Sequence, residues 1–110
     1  MNQEIKAKWV AALRSGEYTQ TKESLNNCRG FCCLGVLCDI SKQETGFGIE
    51  ETYAENDGAE NLGLTVRAWA GLPASSGATV EINGIHSPLT HHNDSGRTFL
   101  EISDAIEAQL

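Results

Sequence analysis

The chain lacks a long hydrophobic run. Nothing in its 110 residues approaches the roughly 18 consecutive apolar residues that a membrane-crossing helix needs. Residues 1–18, MNQEIKAKWVAALRSGEY, carry charges throughout and hold no apolar block ending in small residues, so a secretory leader is not expected. Bases are scarce beyond residue 42. Only Arg67 and Arg97 stand there against eleven acids, whereas residues 1–42 hold six bases and four acids, for a net charge of −7 overall. That balance disfavours non-specific binding to nucleic acid, which depends on neutralising phosphates. It leaves room for a basic protein partner, or for a few arginines focused on one pocket. No internal repeat is visible. The length suits one core and not two.

What is there begins with a helix. Asn2 can cap it, Ile5, Trp9, Ala12 and Leu13 make one apolar face, and Gly16 supplies a left-handed stop. The Thr-rich stretch from Tyr18 to Leu25 reads as a short strand or extended arm, and Asn26-Asn27 and Arg29-Gly30 read as turns. Phe31 to Ile40, FCCLGVLCDI, is the only strongly apolar run. So short a run suits either a buried strand or a buried helix. The spacing of Cys33, Val36, Leu37 and Ile40 favours a helix over about residues 32–42, although Gly35 in its middle weakens both readings.

Residues 43–62 contain six acids, three glycines and no base, and are expected to be a long acidic loop with room for a short strand at Ile49–Tyr53. A short helix follows near 65–70, closed by Gly71 and Pro73. Val80 and Ile82 alternate ahead of Asn83-Gly84, the strongest hairpin signal in the chain, and the return strand from Ile85 should stop at Pro88. The last helix, near 98–110, opens on a Thr98–Glu101 capping box and buries Phe99, Ile102, Ile106 and Leu110. The expected fold class is α+β, with about four helices packed on a small antiparallel sheet or hairpin in a single domain.

Three chemistries compete for these residues. Metal ligation is one, with Cys28, Cys32, Cys33, Cys38, His86, His91 and His92 as the donors available. Structural zinc favours paired cysteines two to four residues apart on turns, and helical geometry over 32–42 would turn Cys33 and Cys38 away from each other. No metal and no cofactor is therefore expected, and in a reducing cytosol the thiols should be free. A cysteine hydrolase is the second. Cys32 lies near a helix start, where the dipole lowers a thiol pKa, and His86 with Asn93 or Asp94 follow in the order of papain-like enzymes. The third is a polar binding site. Arg14, Tyr18, Gln20, Arg29 and Trp69, with Asn93 and Asp94, offer cations, amides and rings suited to an anionic planar ligand such as a nucleotide. Asn, Asp, Ser and Gly also build ordinary turns and caps, which accounts for Ser15, Gly16, Ser95 and Gly96 but not for Arg14, Tyr18, Gln20 or Arg29.

Four segments carry a resemblance: W-x3-L-R-S-G-x-Y-x-Q over Trp9–Gln20, FCCLGVLCD over Phe31–Asp39, V-R-x-W-A-G-L over Val66–Leu72, and N-D-x-G-x-T-F-x-x-I over Asn93–Ile102. Together they resemble a family of small uncharacterised phage and prophage proteins. They cover most of the chain apart from the acidic segment and Ala74–Ile85. The chain differs from the pattern at His92, where relatives often carry an apolar residue. The resemblance implies the cytoplasm of a bacterial host and a non-enzymatic role in modulating host processes, counter-defence above all. The partner would be a signalling nucleotide or a host defence protein, and the acidic segment could act as a polyanion mimic towards the latter. A homo-oligomer is compatible with this reading, since many small binding proteins build their pocket across a dimer.

Overall fold

In the computed structural model, residues 1–55 and 61–110 are described. The first helix, α1 (Gln3–Arg14), begins where the Asn2 carboxamide accepts the Glu4 and Ile5 amides, and it buries Ile5, Trp9, Val10 and Leu13. The chain from Tyr18 to Leu25 is irregular rather than a strand. It meets Phe31 through a parallel bridge from Gln20, held by Phe31 N to the Thr19 carbonyl (2.8 Å) and Thr21 N to the Phe31 carbonyl (2.8 Å). A short hairpin follows, β1 (Asn26–Asn27) with β2 (Gly30–Phe31).

The apolar run is the helix α2 (Cys33–Thr45), whose residues from Cys33 to Cys38 are all buried. Gly35 is what allows it to sit there. A Cβ at this position would lie 1.7 Å from the Leu25 carbonyl oxygen, which also accepts the Cys32 amide at 3.0 Å. The glycine therefore marks a close approach of two backbones and not a break in the helix. α2 is the central element, with α1 on one side and the later helices on others.

The acidic segment differs from expectation. α2 runs on to Thr45 and stops at Gly46, and Ile49–Glu55 forms another helix, α3, instead of a strand or loop. The reason is local. Glu50 and Glu51 occupy the first turn, where acids favour the helix dipole, and Glu51 accepts the Gly48 amide. The remainder of the expected loop, residues 56–60, lies outside the described residues. Next come α4 (Leu64–Ala70), then β3 (Thr79–Ile82) and β4 (Ile85–Pro88) joined through Asn83 and Gly84, both at positive φ (52° and 80°).

Pro88 does not interrupt β4. It pairs with Thr79, two residues on from Glu81–His86, at a position whose N–H would face outward, so the missing donor costs the ladder nothing and blunts the edge. The outward backbone groups of Glu81 on the other edge are taken by the Gln109 carboxamide, which accepts the Glu81 N–H and donates to its carbonyl, both at 2.8 Å.

The chain then forms α5 (Leu89–Asp94), which the polar composition LTHHND concealed, and α6 (Phe99–Gln109), capped by the Thr98–Glu101 box. The described residues thus form an α+β fold with six helices, not four, and two small antiparallel hairpins. Trp9, Leu34, Leu37, Leu89, Ile102 and Ile106 lie in one core, and each such side chain contributes roughly 1.5–3 kcal/mol on burial.

Candidate functional site

The residues singled out from sequence separate into a structural group and an open group. Arg14 is spent on the fold. From the end of α1 its guanidinium donates to Ser103 Oγ (3.0 Å), Asp104 (2.7 Å) and Glu107 (2.9 Å) on α6, contacts that raise its pKa. The Tyr18 hydroxyl donates to Asp39 Oδ2, and its ring meets Phe31 edge-on at 5.1 Å. Burial, then the Asp39 carboxylate, pushes the Tyr18 pKa up to about 12, so the phenol stays a neutral donor. Trp69, on α4, is half-buried and packs against the core.

Gln20, Asn93 and Asp94 are brought together. Asn93 is fully buried on α5; its carbonyl oxygen accepts from Gln20 Nε2 (2.9 Å) and from the Cys33 amide at the start of α2 (3.2 Å). Its amide nitrogen donates to the Thr21 carbonyl at 2.8 Å, and Gln20 Nε2 also reaches the Arg97 carbonyl at 2.7 Å. Asp94 accepts the Glu23 amide at 2.8 Å. This network ties the irregular 18–25 segment to α5 and to the first turn of α2. A short polar residue pair at the end of a helix is ordinarily read as capping, which is why its long-range role was not legible.

What the network holds in place is an open groove of about 540 Å³ lined by Gln20, Thr21, Lys22, Glu23, Asn27, Cys28 and Arg29. The Asn27 side chain shapes its tip by accepting the Arg29 (2.8 Å) and Gly30 (3.2 Å) amides. Four cations elsewhere are paired: Lys8 with Glu44, Arg14 with Asp104 and Glu107, Lys42 with Glu51, and Arg97 with Glu101. Lys22 and Arg29 have no carboxylate within ion-pair distance among the described residues, and both are exposed. Sequence reasoning missed Lys22, Asn27 and Cys28. The excess of base before residue 43 was the available signal, but only the fold shows which cations are already taken.

The thiols are arranged otherwise than a hydrolase requires. Cys32 is the N-cap of α2 and 4% exposed, and its sulfur accepts the Gly35 amide at 3.4 Å. Desolvation outweighs those backbone donors and pushes its pKa up to about 11. Full burial also raises Cys33 well above its ordinary value, and burial raises Cys38 to about 12. His86 is exposed on β4, and no hydrogen bond joins it to Cys32. His92 is buried. Its Nε2 lies 2.8 Å from the Val80 carbonyl, which can only accept, so Nε2 carries the proton. His92 therefore links α5 to β3.

No curated protein and no solved structure matches this chain. The chain does match, over residues 1–110, a family described as a domain of unknown function (DUF8296). A match across the whole length, on a chain with one continuous core, places the protein in that family: it is a member of DUF8296.

Proposed function

We propose that this protein is a non-enzymatic binder that takes an anionic, nucleotide-type signal in the Gln20–Arg29 groove, in the setting of phage counter-defence against a bacterial host. The observation that carries the reading is that Lys22 and Arg29, which have no carboxylate at ion-pair distance among the described residues, line one open groove in a chain of net charge −7. Four other cations are ion-paired within the described residues, whereas these two offer charge-assisted donors to phosphate oxygens. The groove carries no aromatic residue, and Tyr18, Phe31 and Trp69 are engaged elsewhere. Recognition would then rest on phosphate rather than on base stacking. The hydrolase reading is weakened by the buried, protonated Cys32.

A thermal-shift screen against cyclic and linear nucleotides and inorganic pyrophosphate tests this. Ligands with more phosphate charge should raise the melting temperature more, and Lys22→Gln with Arg29→Gln should weaken binding by about tenfold or more, since a hydrogen bond to a charged group contributes roughly 1.5–3 kcal/mol. No shift with any of these ligands, or equal affinity in the double variant, would remove the proposal.

A further inference from the structure

Asn27 lines the groove, and its neighbour Asn26 lines a second cavity, as successive strand residues point to opposite faces. This cavity lies between the β1–β2 hairpin, α2 and α3 and has a volume of about 190 Å³. Its floor is apolar, made by Phe31, Cys38 and Ile49, and its rim carries Asp39, Glu50 and Glu51 against the single cation Lys42.

Each rim carboxylate has a different status. Asp39 is oriented by the Tyr18 hydroxyl and by Gln43 Nε2 at 3.0 Å. Glu51 is held by the Gly48 amide (3.3 Å) and by Lys42 (3.4 Å), and Lys42 in turn donates to the Gly46 carbonyl at 3.1 Å. Glu50 is exposed and has no ion pair among the described residues. One cation is therefore already accommodated at the rim, and the carboxylates still exceed it.

We propose that this cavity receives one arginine or lysine side chain of a basic protein partner. The apolar floor suits the aliphatic stem of such a residue, and the Phe31 ring adds attraction for a cationic head. Glu50 and Asp39 would meet the head group with charge-assisted hydrogen bonds. Size separates this occupant from a larger one: pockets for drug-sized ligands span about 300–1,000 Å³, and 190 Å³ holds a single long side chain. At this opening three carboxylates, Asp39, Glu50 and Glu51, stand against one cation, Lys42, and such a local excess of negative charge steers a basic surface towards it. The inference does not depend on the anion groove.

The test is an amide chemical-shift titration with acetyl-arginine-amide, acetyl-lysine-amide, acetyl-norleucine-amide and spermidine. Amides of Phe31 and Ile49–Glu51 should shift with the two cationic amides and not with norleucine, and added salt should weaken the effect. Glu50→Gln, an exposed change that leaves the core intact, should weaken binding several-fold, whereas Lys22→Gln with Arg29→Gln should not alter it. That last variant separates failure here from failure of the anion site. The proposal is overturned by norleucine shifting these amides as strongly as arginine, by no shift there at all, or by Glu50→Gln binding as the unchanged protein does. Spermidine binding more tightly than acetyl-arginine-amide would overturn the assignment to a protein side chain.

Discussion

At the scale of single residues, the four cysteines illustrate how burial decides chemistry. Cys28 is exposed at a hairpin tip, while Cys32, Cys33 and Cys38 are packed inside. An aromatic disulfide reagent at neutral pH should therefore modify one thiol quickly and the other three only on unfolding; rapid loss of two or more would contradict the packing. The same burial has a pH consequence. The folded pKa of Cys32 is raised from 9.0 to about 11 and that of Cys38 to about 12, so both thiols remain protonated in the fold where the unfolded chain would ionise. Tyr18, raised from 10.0 to about 12, behaves alike. Stability that is fully present below pH 9 should thus be withdrawn as pH rises towards 11 and 12. Melting temperatures measured across that window should fall, and a flat profile would show that the thiols are solvated.

At the scale of elements, two positions decide how the pieces meet. Gly35→Ala would place a methyl carbon against the Leu25 carbonyl, forcing α2 away from the segment it rests on. The expected cost is about 3 kcal/mol, the upper end for overpacking a core, read from denaturant unfolding. Gly16→Ala, where nothing lies within 4 Å of the added carbon, should cost about 1 kcal/mol through its positive φ alone. Asn93→Ala would strand the Cys33 amide and the Thr21 carbonyl without a partner. A loss of about 2–4 kcal/mol follows from buried groups left unsatisfied. Hydrogen exchange should quicken most in residues 18–23, which that side chain anchors.

At the scale of the whole molecule, the closure of α1 onto its neighbours organises the fold. Trp9 Nε1 donates to the Cys33 carbonyl at 2.9 Å in the interior, tying α1 to α2, while Arg14 clamps α1 to α6. The Cα radius of gyration, 12.3 Å, is close to the roughly 13 Å expected for a chain of this length with one core. Trp9→Phe would remove this α1–α2 hydrogen bond and open space beside Cys33, at about 1–3 kcal/mol. Unfolding should remain one transition, with fluorescence from Trp69 and circular dichroism coinciding. Separate transitions would mean that α1 is not part of a single cooperative unit.

The sequence by itself determined the terminal helices and their caps, the Asn83-Gly84 hairpin and the helical spacing of Cys33–Ile40. Each of these rests on neighbours within a turn or two, so local pattern suffices. It under-reported α3 and α5, because a helix whose first turn is Glu-Glu, or whose residues are LTHHND, shows little apolar periodicity. Only the tertiary structure decided the fate of the polar candidates. Arg14, Tyr18, Gln20 and Asn93 look equally free along the chain, yet their partners lie far off in sequence, on α6, on α2, and across the contact of α5 with the 18–25 segment. Which cations are neutralised is likewise a long-range property. Arg14 is ion-paired and Trp69 packs on the core, whereas Arg29, also singled out from sequence, stays exposed, because ion pairing and burial depend on what folding brings alongside.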